Sequence, residues 1–154
     1  MAAPAHPPYT PVVRAGDWII VSGQLGMKDG ALVGGGVPAQ TRQAIANLTA
    51  QLASMGASLR DVSKTLCFLT DMDTFGTFNE AYAKGFGAHR PARSTIGVAS
   101  LPFGGAVEIE AWAWKPAGPA VAKKKAANWS PVKKSATKKS AKKTAKKPAA
   151  RKKK

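Results

Sequence analysis

Val107-Glu108-Ile109-Glu110-Ala111-Trp112-Ala113-Trp114 is the stretch on which the fold turns. Val107, Ile109, Ala111 and Ala113 fall on one side of an extended chain, and Glu108, Glu110, Trp112 and Trp114 on the other. Period two over the whole run predicts a strand from about Ala106 to Trp114. The first side suits a core beneath helices. The second is odd, because two indoles beside two carboxylates do not make an ordinary solvated surface. A second subunit is the expected cover.

Working backwards, Ala92 to Val98 reads as another strand. Before it, Phe75, Phe78, Tyr82 and Phe86 recur at three and four, which predicts a helix capped by Asp71 or Asp73. Val62 to Thr70 is β-like, with both faces turning apolar midway, so a central strand is expected. Ile45, Leu48, Leu52 and Met55 mark a second amphipathic helix from about Pro38, closed by Gly56. Gly26 to Gly36 holds Asp29-Gly30 and reads as a turn-rich connection or hairpin. Trp18-Ile19-Ile20-Val21 is a further strand. The order is β(β)αβαββ. An α+β arrangement satisfies it: a single mixed β-sheet with two helices on one face.

Composition divides the chain in two. Residues 120–154 carry 15 Lys or Arg and no Asp or Glu, whereas the first 119 residues hold 9 basic and 8 acidic ones. The net charge of +16 is therefore almost all tail. The expected boundaries are a disordered N-terminus over 1–8, a folded domain over 9–116 and a disordered Lys/Ala-rich tail over 117–154. No apolar run is long enough to span a membrane, and the N-terminus does not read as a secretory signal. Cys67 is the only cysteine, which excludes an internal disulfide, and it reads as a small buried hydrophobe. A cytoplasmic protein is expected. Gly34-Gly35-Gly36 lacks the Gly-Lys-Ser/Thr of a phosphate loop, and His6 and His89 have no Asp or Cys partner in register.

Two pieces carry candidate chemistry: Pro91-Ala92-Arg93-Ser94-Thr95 and Val107-Glu108-Ile109-Glu110. Arg93, Thr95 and Gly97 share one face of their strand. With that face open and Glu108 on a nearby strand, a guanidinium fork and a carboxylate would border one cleft. The fork would hold a substrate carboxylate and the carboxylate would orient or deprotonate water. The competing reading is an Arg–Glu ion pair that only orders the sheet.

Tyr9, Val21-Ser22-Gly23-Gln24, the helix Gln40 to Gly56, Phe75-Gly76-Thr77-Phe78-Asn79-Glu80-Ala81-Tyr82, Pro91-Ala92-Arg93-Ser94 and Val107-Glu108-Ile109-Glu110 occur in an order that resembles the RidA (YjgF/YER057c/UK114) family. The resemblance covers roughly Pro8 to Lys115. It implies a chorismate-mutase-like sheet, assembled as a homotrimer with clefts between subunits. It also implies hydrolysis of 2-imino acids and their enamine tautomers, such as 2-aminoacrylate and 2-aminocrotonate, to 2-keto acids and ammonia, without metal or organic cofactor. By motif, Arg93 would bind the substrate carboxylate and Glu108 would position the attacking water. Tyr9, Ser22, Asn79 and Thr95 would line the cleft. Thr95 stands where the family's motif often has Cys, which bears on substrate preference. Each keeps a plainer alternative: Tyr9 as a packing anchor, Ser22 as a strand end, Asn79 as a partner for a neighbouring loop.

The tail repeats a four-residue unit around Lys133-Lys134, Lys138-Lys139, Lys142-Lys143 and Lys146-Lys147. Its composition resembles the carboxyl-terminal tails of linker histones. It predicts non-specific binding to DNA, RNA or another polyanion, and association with the nucleoid, against the plainer reading of a solubilising tail. Two functions compete at this point. One is a tethered imine deaminase. The other is a non-enzymatic trimer that serves the tail as a platform. A ribonuclease ranks behind both, for want of a His pair or metal cluster.

Overall fold

The computed structural model describes residues 8–117. Residues 1–7 and 118–154, with all eight lysines singled out above, lie outside them. In chain order the elements are β1 (Val12–Ala15), β2 (Trp18–Leu25), β3 (Met27–Lys28), β4 (Ala31–Leu32), α1 (Gly36–Ser54), β5 (Val62–Leu69), α2 (Phe75–Phe86), β6 (Ala92–Gly97) and β7 (Val107–Trp114). Five strands form one sheet in the order β1-β2-β7-β5-β6, and β3 and β4 make a separate hairpin. Every pairing in the main sheet is antiparallel except β5 with β6, which is parallel. A parallel pair needs a crossover, and α2 supplies it.

The two helices pack on each other and on one face of the sheet, as the residue order predicts. Ile19 and Val21 of β2, Thr65, Cys67 and Leu69 of β5, and Val107, Ile109, Ala111 and Ala113 of β7 point inward and are buried. Leu48 and Leu52 of α1 are fully buried over them, each stabilising the fold by about 1.5–3 kcal/mol. The helices approach closely at Gly85, where a Cβ would meet Cδ1 of Ile45 at 2.5 Å. Gly85 is therefore what that helix contact requires, although glycine weakens α2 itself.

Helix α1 ends as its sequence predicts. Gly56 adopts φ +73°, its N–H reaches the Ala53 carbonyl, and the Ala57 N–H reaches Leu52. This doubly bonded closure needs a left-handed residue, which glycine supplies without steric penalty. Asp71 accepts the Asp73 N–H in the short turn that leads into α2. Asp29 and Gly30, both at positive φ, turn the β3–β4 hairpin.

Strand β1 is unexpected from the residue pattern. Four residues containing Arg14 give little period-two signal, and the strand exists because the Gly16-Asp17 turn folds it onto β2. Arg14 then bonds the Met55 and Lys115 carbonyls, tying the end of α1 to the end of β7.

The other face of the sheet carries Ile20, Trp18, Trp112 and Trp114 with Lys64, Leu66, Phe68, Glu108 and Glu110, as their register places them. Trp18 and Trp114 meet edge to face at 5.0 Å. Lys64 donates to Ser94 Oγ at 2.7 Å. Ala15, Trp18, Ile20, Lys64 and Trp112 line an apolar hollow of about 500 Å³ there.

Candidate active site

Strand β6 registers with β5 so that Arg93 lies beside Thr65 and Thr95 beside Cys67. Thr65 is fully buried and shares a 2.7 Å hydrogen bond with the Tyr82 hydroxyl of α2. Arg93 therefore points to the helix side. Its Cζ lies 4.7 Å from the Tyr82 ring centroid, 5.5 Å from Phe78 and 5.6 Å from Phe75. Nη2 donates to Asn79 Oδ1 at 2.8 Å. The cation rests on the negative faces of three rings with one donor held, and its remaining N–H groups are available to an anion. Asn79, Tyr82, Ala83, Arg90, Pro91 and Arg93 surround a cavity of about 350 Å³. Thr95 Oγ1 is buried and has no hydrogen-bond partner among the described residues.

Glu108 lies elsewhere. Its register partners are Leu25 on β2 and Phe68 on β5, and its neighbours Val107 and Ile109 are buried in the core. Glu108 thus sits on the face opposite the helices. The expectation of Arg93 on the open face beside Glu108 is corrected: within one chain they occupy opposite sides of the sheet, with β5 between their strands. The physical reason is the edge position of β6. Its residues have no fully buried alternate set, so their pattern does not say which face meets α2.

Gly23 makes room for Glu108, since a Cβ there would overlap the carboxylate. Burial raises the Glu108 pKa above the ordinary carboxylate value, and the charge of Glu110 raises it further. Burial also raises Glu110. Ser22, next to Gly23, donates its hydroxyl to the Thr10 carbonyl at 2.8 Å, and its N–H bonds Pro11. Tyr9 leads into that segment and is 59 % exposed. The six candidate residues accordingly form two groups. Arg93, Asn79 and Thr95 stand on the helix side at one sheet edge, and Glu108, Ser22 and Tyr9 belong to the β2–β7 region.

Cys67 is buried, and desolvation pushes its thiol up to about 11, so it has the character of packing rather than of a nucleophile. Two contributors escaped the residue pattern. The ring platform under Arg93 reads from spacing as helix core, and Gly23 reads as a strand end. A glycine beside a candidate strand carboxylate is the signal that would have found the second.

The family model described as Endoribonuclease L-PSP matches residues 1–115. The solved RidA of an Antarctic Psychrobacter is 36 % identical, with a TM-score of 0.68, over 73 % of this chain and 93 % of that one. The chain belongs to the RidA family. A RutC family protein of Pyrococcus horikoshii is 41 % identical over 110 residues, covering 70 % of this chain and 87 % of the relative. The 2-iminobutanoate/2-iminopropanoate deaminase of Mus musculus is 43 % identical over 106 residues, covering 68 % of this chain and 78 % of the relative. The sheet with two helices on one face is the RidA fold.

Proposed function

We propose that this RidA-family chain hydrolyses 2-imino acids to 2-keto acids and ammonia in a cleft completed by a second copy of itself. The observation that carries the reading is Arg93, a guanidinium seated on three rings and steadied by Asn79. Such a fork is preorganised for a small carboxylate. The 43 % identical mouse relative named for this reaction supports the substrate class.

In the mechanism Arg93 binds the substrate carboxylate, and Thr95 stands two residues along the same face of β6. Glu108 of an adjoining copy takes a proton from water as the water oxygen bonds to C2, and the C=N electron pair moves to nitrogen. With the imine entering protonated, this gives the neutral carbinolamine, and Glu108 returns the captured proton to its nitrogen. Ammonia leaves as the C–N bond breaks, and loss of the hydroxyl proton gives the keto acid. A carboxylate whose pKa is raised is a better base for this step than an ordinary one. Three copies in a ring would place the Glu108 group of each beside the Arg93 group of the next, and would cover the tryptophan-bearing face.

Keto-acid release from freshly generated 2-iminobutanoate tests this reading. Turnover that falls at least 100-fold in Arg93→Ala and Glu108→Gln supports it. Wild-type turnover no faster than either variant removes it.

The tail, for its part, is proposed to hold the enzyme on polyanions, because its 15 basic residues face no acidic one. With about 6–10 phosphates engaged, affinity for DNA should fall about 10³–10⁵-fold between 50 and 200 mM salt. Deleting residues 120–154 should abolish that binding and leave turnover intact. If turnover is absent throughout and only the binding is real, the chain is a platform for its tail.

A further inference from the structure

Phe103 is 78 % exposed, more than any other large apolar side chain among the described residues. Its backbone is left-handed, φ +59° and ψ +13°, a strained state for a bulky residue. Glycines follow at 104 and 105, so the sequence had a residue at hand that takes this conformation freely. Instead a phenylalanine holds it, with its ring turned away from its own fold.

The loop that carries Phe103 is pinned. Val98 N–H bonds Leu69 at one end, and Thr70 N–H bonds the Ala106 carbonyl at the other. Ala106 N–H also bonds Gln40 Oε1 at 2.8 Å. Gly105 lies against Leu25, where a Cβ would clash with Cδ2. Leu25 is in turn the register partner of Glu108. Across the sheet from Glu108 come Phe68 and then Ile96, which is 46 % exposed. Glu108 is thus one carboxylate in an otherwise apolar row, and Phe103 rides on the loop at that end of the sheet.

We propose that Phe103 and this row form the wall that receives the substrate side chain, and that the site prefers 2-imino acids with an extended apolar side chain over the alanine-derived one. The inference rests on the deaminase reading. With the carboxylate on Arg93 and C2 at Glu108, the substituent is the part left to meet Leu25, Phe68, Ile96 and Phe103. None of these offers a hydrogen bond or a charge, so the selection is by apolar area. One or two methylenes in such a pocket discriminate about 10–200-fold.

The test uses the full chain and imino acids generated in situ from alanine, norvaline and leucine by an amino-acid oxidase, with keto-acid release as the readout. Wild-type kcat/KM should be at least about 10-fold higher for the leucine-derived imine than for the alanine-derived one. Phe103→Ala and Phe103→Gly should lose that preference, with kcat/KM for the leucine-derived imine falling at least about 10-fold more than for the alanine-derived one. The glycine variant should also have a higher Tm, because the strain is gone. A preference unchanged in both variants overturns the proposal. So does a uniform loss across the three imines, a change in oligomeric mass, or a lower Tm for Phe103→Gly, since each marks a structural role. Wild-type turnover without selectivity overturns this inference alone, whereas no turnover of any imine overturns the deaminase reading with it.

Discussion

Asn79 Oδ1 accepts a 2.8 Å hydrogen bond from Arg93 Nη2, joining the middle of α2 to the sheet edge strand β6. The bond fixes one edge of the guanidinium plane and leaves the others for a ligand. Asn79→Ala should raise KM about 10-fold with a smaller change in kcat, because the fork is retained but loosened. Arg93→Lys should recover little of the loss seen in Arg93→Ala, since an ammonium cannot offer two parallel donors. Steady-state kinetics on one imine decides both.

Arg93 and Glu108 on opposite sides of one sheet make a sharper prediction. Refolding an equal mixture of Arg93→Ala and Glu108→Gln chains should restore about a quarter of wild-type activity, the share of clefts that receive Arg93 from one variant and Glu108 from the other. Clefts built within single chains would give none.

The raised pKa of Glu108 makes a pH prediction. A carboxylate raised by burial favours its protonated form in the folded state, so its stability contribution is present at low pH and is lost as pH rises through the folded value. Glu108→Gln should therefore raise Tm at neutral pH, and the gain should disappear below about pH 4. Activity runs the other way. The acidic limb of kcat/KM should lie above the usual carboxylate range in the wild type and be absent from Glu108→Gln.

Gly23 should matter to chemistry more than to folding. An added methyl overlaps the Glu108 carboxylate, a flexible group that can swing aside. Gly23→Ala should keep Tm within a few degrees while lowering kcat at least about 10-fold, because the base is displaced by about an ångström or more. Thermal melts and turnover on the same preparation test the separation.

Thr65 and Tyr82 form a buried hydroxyl pair beneath Arg93, and burial pushes the phenol up to about 12. Tyr82→Phe leaves the Thr65 hydroxyl without its tyrosine partner and should lower stability by about 1–3 kcal/mol. Adding Thr65→Val should restore part of that loss, a coupling that a double-mutant cycle in denaturant measures.

The regular elements were legible because their signals are periodic and local. Alternation marks β7, three-and-four spacing marks α1 and α2, and Gly56 marks the end of α1. Strand β1 was not, since its pairing depends on the Gly16-Asp17 turn rather than on its own residues. The candidate site residues were chosen through their motifs, and the side of the sheet that each occupies was not legible there. Parallel register between Arg93 and Thr65 sets the facing of β6, and that is a long-range fact no window of sequence contains. Phe103 escaped for a related reason: its meaning lies in a backbone angle.

On the proposed mechanism, a guanidinium on one surface of the sheet and a carboxylate on the other would make folding and competence separate events. In the proposed two-copy cleft, a chain that has folded alone would carry a part of two reaction centres and the whole of none. Specific activity should then fall on dilution even where every molecule remains native, and a substitution at Trp112, four residues along β7 from Glu108, should lower turnover by loosening the grip of one copy on the next.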